Sequence, residues 1–278
     1  MSRHRVRLTL AGGVAGGVAL GTWLGARHVL ARQAAAARLV IGKPLSEDAI
    51  DADRVWRGRY GGEPVELVVL GDSIAAGLGA ERRKDTLGGR LARGLAKQTR
   101  RPVRLRTAAV VGSESSALPE QIGSLPADYR PDVAVVVVGG NDVTHRVPLA
   151  ESVRHLAAAV DALRARGAEV VVGTCPDLGS LQQVPQPLRA LGSRVSRQLA
   201  DAQQHAATAA GARAVSLRHV VGPFFITNPD EMFSLDRFHP SGLGYRRTAA
   251  AMLPSVLHAL GQHDQLPFGH HPPVLPVR

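Results

Sequence analysis

Short apolar runs alternate with stretches of helical periodicity along most of this chain. The runs are Glu66–Leu70, Val103–Ala109, Val133–Val138, Glu169–Gly173 and Ala212–Ser216. Each has the length of a strand and is too short for a helix. Between them, Leu149, Val153, Leu156, Val160 and Leu163 recur at steps of three and four across 148–166, after Pro148 and before Gly167. That spacing puts one apolar stripe on a helix, and the proline and glycine mark its ends. A second helix is predicted over 186–210 on Leu188, Leu191, Val195 and Leu199. A third starts near Ser241 and carries Tyr245, Met252, Val256 and Leu260, and a weaker one covers 86–99. Strands alternating with helices of this size predict an α/β fold with a parallel sheet between helical layers. The unbroken Val133–Val138 run fits a central strand covered on both faces.

The pattern changes at both ends. Arg3, Arg5 and Arg7 precede Leu8–Ala26, which holds no charged residue. A stretch of that length can cross a bilayer, so residues 1–26 are expected to be a signal anchor or a signal peptide. The expected location is the cell membrane, single-pass with the body outside the cytoplasm, or secretion. Gly13, Gly17, Gly21 and Gly25 repeat every four residues and would share one helix face. Such a face allows close packing in lipid, so a homodimer through it is one expectation. Residues 27–64, Ala- and Arg-rich and then polar, read as a linker. Residues 65–262 read as the folded body, and the Pro- and His-rich residues 263–278 as a disordered tail.

Charge and cysteine narrow the function classes. The chain of 278 residues has a formal net charge of +11. Residues 1–60 carry 10 Lys and Arg against 4 Asp and Glu, while the remaining 218 carry 24 against 19. The body is therefore only mildly basic, with scattered arginines and no aromatic interleaving, which argues against nucleic acid as a partner. The basic head suits an anionic lipid surface better. The single cysteine, Cys175, excludes an intrachain disulfide and ends an apolar run, where a small buried hydrophobe is expected.

Candidate chemistry falls at the ends of the strand runs. Glu66–Leu70 stops in Gly71-Asp72-Ser73, followed by the glycines 77 and 79. A serine at the carboxyl end of a buried strand lies where open α/β sheets bind ligands. It is a candidate nucleophile if a base and oxyanion donors lie nearby. The sequence holds neither a full G-x-G-x-x-G nor a phosphate-loop lysine here. His239, three residues after Asp236 in a late loop, is the candidate base, with Asp236 to fix its tautomer. Asn141, after Gly139 and Gly140, is a candidate oxyanion donor, and Gly112 could add a backbone N–H. Asp72 is expected to brace the serine turn, and Asp142 to support Asn141. Phe224, Phe225, Ile226, Met232 and Phe233 crowd the loop 219–235, as a wall for an acyl group or as core.

Together these blocks resemble the SGNH/GDSL hydrolases, named for Ser, Gly, Asn and His in separate blocks. Gly71-Asp72-Ser73 is similar to the first block and Gly112 to the second. Gly139-Gly140-Asn141-Asp142 matches the third, and Asp236-Arg237-Phe238-His239 the D-x-x-H block. The Val111-Gly112-Ser113 block is the loosest of the four. The resemblance spans about 66–260 and implies a three-layer α/β/α, flavodoxin-like fold with five parallel strands. It implies serine-dependent hydrolysis of carboxylic esters, as an esterase or lipase, with no cofactor and no metal. Ser73, His239 and Asp236 would be the triad, and Ser73, Gly112 and Asn141 the oxyanion hole. The substrate would be a small-molecule, lipid or glycan ester. Rival readings are an acyltransferase or deacetylase acting on cell-envelope glycan or lipid, and a non-catalytic tethered binding module. The Gly-x-Ser-x-Gly elbow of the α/β-hydrolases is absent around Ser73.

Overall fold

The computed structural model describes Gly25, residues 27–36 and residues 48–274. Seven strands form one sheet in the order β1-β3-β2-β4-β5-β6-β7. They are β1 (Arg54–Trp56), β2 (Val65–Gly71), β3 (Val103–Thr107), β4 (Val133–Val137), β5 (Glu169–Gly173), β6 (Arg213–Val215) and β7 (His270–His271). Strands β3, β2, β4, β5 and β6 are mutually parallel. These are the five apolar runs of the sequence. The helices are α1 (Ser73–Ala76), α2 (Leu87–Thr99), α3 (Leu118–Gly123), α4 (Gly140–His145) and α5 (Leu149–Ala165). They continue with α6 (Leu188–Ala209), α7 (Leu217–Val220), α8 (Gly222–Thr227), α9 (Pro229–Met232) and α10 (Gly242–Ala259).

Side-chain alternation along the strands divides the core in two. Val65, Leu67 and Val69 of β2 pack with Leu87, Leu91 and Leu95 of α2 and with Tyr245, Met252 and Val256 of α10. Val68 and Leu70 point the other way, into a cluster with Leu118 and Ile122 of α3 and Leu156, Val160 and Leu163 of α5. The period of two along a strand thus fills both faces of the sheet and gives the three-layer α/β/α fold. Burying whole leucines and valines on both faces stabilises by roughly 1.5–3 kcal/mol per side chain, before chain entropy is counted. The stripe on α5 and α6 is narrower than its sequence spacing implies. Leu149, Leu191 and Val195 are exposed.

Both flanks of the body join the fold. The expected linker 27–64 is helical over residues 27–36, where Leu188 donates its N–H to Gln33 Oε1 at 3.1 Å. It also supplies β1, which pairs antiparallel with β3, and the buried Ala52. The tail 263–278, expected to be disordered, supplies β7, antiparallel to β6. His270 Nδ1 there lies 2.7 Å from the Ser255 hydroxyl. The two added strands cap the edges of a parallel sheet, whose open N–H and C=O groups otherwise stay unpaired. The expected anchor, residues 1–26, lies outside the described residues apart from Gly25. Among the described residues no helix is long and apolar enough to cross a membrane.

Candidate active site

The parallel strands deliver their carboxyl ends to one edge of the sheet, and the polar residues named above collect there. Strand β2 ends at Gly71, whose φ is +130° and where a Cβ would lie 1.8 Å from the Val137 carbonyl oxygen. Only glycine allows that approach. The next N–H, of Asp72, donates to the same carbonyl at 3.0 Å. The Asp72 carboxylate caps α1 by accepting the Ile74 N–H at 3.0 Å. Ser73 therefore sits at the first helical position, 7% exposed, at the mouth of the sheet.

His239 reaches it from a loop 166 residues away in sequence. The loop 233–240 is closed by the Phe233–Pro240 bridge and by a 2.8 Å bond from the Ser234 N–H to the His239 carbonyl. Arg237 takes a left-handed φ of 55° at its tip. This tight turn brings Asp236 under its own histidine. His239 Nδ1 lies 2.6 Å from Asp236 Oδ2, and His239 Nε2 lies 2.9 Å from Ser73 Oγ. The other carboxylate oxygen accepts from the Ser234 hydroxyl at 2.7 Å and from the N–H groups of Phe238 and His239 at 2.9 Å each. Burial raises the Asp236 pKa. The His239 side chain, the two backbone donors and Ser234 outweigh it and hold the carboxyl at about 2. Asp72 shows the opposite balance. Its burial dominates the N–H donors of Ile74, Gly140 and Gly139 and pushes it up to about 6.

Asn141 occupies the second position of α4, just past β4. Its Nδ2 donates to the Ser113 carbonyl at 2.9 Å, which fixes the amide and leaves its second N–H unused by that bond. The Gly112 loop is thereby tied to Asn141. Gly112 itself has φ +83°, a backbone conformation that favours glycine. Among the described residues neither the Ser73 nor the Gly112 N–H has a backbone acceptor. Asp142 does not bond to Asn141. Its buried carboxylate accepts from the Ser115 N–H at 3.0 Å and from the Ser115 hydroxyl, and so holds the far side of the same loop. His145 lines the same groove as the serine, with its Nδ1 2.7 Å from Glu114 Oε1.

Ser73, Gly112, Asn141, Asp236 and His239 all line one open groove of about 840 Å³. Residues 48–53, which precede β1, form part of its wall. Behind Ser73 and His239 a second, smaller apolar cavity of about 80 Å³ runs under the loops after β5 and β6.

Two buried glutamines hold this arrangement and carry no signature in the sequence. Gln121 of α3 clamps Gly71 from both sides, accepting its N–H and donating to its carbonyl, each at 2.8 Å. Gln203 of α6 donates to the Val138 carbonyl at 2.9 Å and accepts the Cys175 N–H at 2.7 Å, so it ties the ends of β4 and β5 together. Their only sequence signal is a polar residue on a helix face that is otherwise apolar. Cys175 itself is buried, which pushes its thiol pKa up and leaves it a small hydrophobe.

Residues 69–247 match the GDSL-like Lipase/Acylhydrolase family. The chain is 41% identical over 281 residues to GDSL-like esterase Rv1075c of Mycobacterium tuberculosis, across 96% of this chain and 88% of that protein. Its fold is similar to that of the psychrotrophic esterase EstA from Pseudoalteromonas sp., with a TM-score of 0.56 at 17% identity over 71% of this chain and 99% of that one. The lipase/acylhydrolase from Enterococcus faecalis also superposes with a TM-score of 0.56, at 20% identity over 69% of this chain and 94% of that one. The acetylxylan esterase Axe2 from Geobacillus stearothermophilus gives 0.55, at 17% identity over 74% of this chain and 100% of that one. At these identities the solved structures speak for the fold alone, while the family match and the long alignment speak for descent. The chain belongs to the GDSL-like lipase/acylhydrolase family, the SGNH/GDSL hydrolases, and is a serine ester hydrolase.

Proposed function

We propose that the enzyme hydrolyses carboxylic esters with Ser73 as nucleophile, His239 as general base and acid, and Asp236 as the group that orients His239. One observation carries this reading: the unbroken hydrogen-bonded chain from Asp236 Oδ2 through His239 to Ser73 Oγ, at 2.6 and 2.9 Å. Its geometry is that required for a serine activated by an adjacent base. Ser73 Oγ attacks the acyl carbon as its proton passes to His239 Nε2. The carbonyl oxygen becomes an oxyanion that accepts from the N–H groups of Ser73 and Gly112 and from Asn141 Nδ2. Collapse breaks the bond to the alcohol oxygen, which takes the proton from His239 Nε2. Water then attacks the acyl-serine by the same route. The free acid leaves and Ser73 regains its proton. Asp236 stays ionised throughout and stabilises the imidazolium that forms in each half.

The uncharged Leu8–Ala26 stretch after three arginines supports a location at the cell membrane with the body outside the cytoplasm, or export. The 41% identical relative supports esterase activity for this chain.

The test is steady-state hydrolysis of p-nitrophenyl butyrate. Ser73→Ala and His239→Ala should each lower kcat by about four to six orders of magnitude, and Asn141→Ala by about two to three. Wild-type turnover in purified, folded Ser73→Ala would remove the serine from the mechanism.

A further inference from the structure

Two spaces meet at Ser73, and they differ in chemistry. The groove is open, and beside the reacting residues its wall mixes Asp51, Asp53 and Thr107 with Ile50, Val110 and Val111. The cavity behind it is lined by Ile74, Leu178, Leu181, Val221, Phe225 and Phe233. Both touch Ser73, Asn141 and His239, so an ester bound at the serine must place its acyl chain in one and its alcohol in the other.

We propose that the acyl chain enters the apolar cavity, that the alcohol lies in the open groove, and that the cavity limits the acyl chain to about six carbons. This rests on Ser73 as the nucleophile. A hydrocarbon chain gains about fourfold in binding for each methylene removed from water, and a groove that is open to solvent and mixes carboxylates with apolar groups supplies less of that gain than a wall that is almost wholly apolar. The apolar cavity is the side that supplies it. Its size sets the limit. A water-sized group needs about 10–15 Å³ of such space, so about 80 Å³ admits about six groups of that size.

The aromatic wall of the cavity is built to resist stretching. The Phe225 and Phe233 rings meet edge to face with centroids 4.9 Å apart. Phe225 also lies against Gly244 of α10, where a Cβ would come 3.0 Å from the ring. Ring and helix therefore leave no room to recoil. Leu178 is pinned on the other side by its N–H, which donates to the Ser196 hydroxyl at 3.1 Å. A longer chain must either displace a packed ring or turn back into the open groove.

The experiment measures kcat/KM of the full-length enzyme on p-nitrophenyl esters from C2 to C12, with Ser73→Ala, Leu181→Ala and Val221→Phe in parallel. In the wild type kcat/KM should rise by about fourfold per methylene at first, peak near C4–C6 and fall at least tenfold by C10. Leu181→Ala deepens the cavity and should move the peak up by two carbons or more. Val221→Phe fills it and should move the peak down. Loss of packing alone cannot produce shifts of opposite sign. Should either variant fail to fold, Leu181→Val or Val221→Leu takes its place. Serine-dependent turnover that peaks at C10 or beyond, or peaks that stay put in both variants, overturns the cavity assignment and leaves the nucleophile standing. Hydrolysis that survives Ser73→Ala, or no hydrolysis of any ester by the wild type, overturns both.

Discussion

Asp72 and Asp236 lie within one site and are both buried, yet their proton affinities move in opposite directions. Asp236 accepts four hydrogen bonds and is held at about 2, below its unfolded value near 3.8. Its contribution to stability is complete above about pH 4 and is lost as pH falls toward 2. Asp72 is raised to about 6 by burial. Between about pH 4 and 6 the folded state holds that proton more tightly than the unfolded chain, so this group lowers stability as pH rises through the window. Denaturation midpoints measured at pH 4 and pH 7 check the sign. Asp72→Asn should gain on the wild type between the two pH values, and a difference independent of pH would contradict the account. Ser73, Asn141, Asp236 and His239 were readable because each sits at a strand end or in a turn with its own local signature. Gln121 was not, because its partner, Gly71, lies fifty residues away and a glutamine in a helix announces nothing.

At the scale of elements, the site is a set of loops hung on strand ends and stitched by single polar side chains. The stitch at Gly71 is the most exacting, since that backbone both leaves β2 and aims Ser73. Gln121→Leu keeps the side-chain bulk and removes two buried hydrogen bonds, leaving the Gly71 N–H unpaired and its C=O with the Val110 N–H at 3.2 Å alone. The expected cost is about 2–5 kcal/mol, a fall in Tm of roughly 5–15 °C. Displacing the serine turn should also cut kcat by about 10–100-fold. Calorimetry together with steady-state kinetics tests this, and an unchanged kcat in the destabilised protein would separate the clamp from the chemistry. Strands β2, β4, β5 and β6 were legible because each is an apolar run buried on both faces, and β3 because Val103 and Leu105 alternate with the exposed Arg104 and half-buried Arg106. Strands β1 and β7 were not. They have three and two residues, lie at the sheet edges and are built from Arg, Val, Trp and His, so no periodicity marks them.

For the whole molecule, the consequence is that the body does not begin at residue 65. Ala52 is in the core, β1 closes one sheet edge, and residues 48–53 wall the groove. A protein lacking residues 1–47 loses the Gln33 contacts to Gln186 and Leu188 and should otherwise keep its stability and its turnover. One lacking residues 1–60 should lose on the order of 2–3 kcal/mol, with kcat/KM falling because one side of the groove is gone. Equal Tm and equal kcat/KM for the two truncations would show that the segment is ornamental. Composition located the excess charge in the amino-terminal 60 residues and so turned attention from nucleic acid. It could not show that part of this region is structural, because the contacts that make it so are with Thr107, Leu105 and Arg83, far along the chain.

The central claim is that Ser73 carries the acyl group, and covalent capture tests it most directly. The full-length enzyme would be treated with a fluorophosphonate and digested, and the adduct located by mass spectrometry, beside Ser73→Ala and His239→Ala. One adduct per chain is expected on Ser73, none in Ser73→Ala, and labelling slowed by orders of magnitude in His239→Ala. An adduct on another residue, or equal labelling of Ser73→Ala, would contradict it.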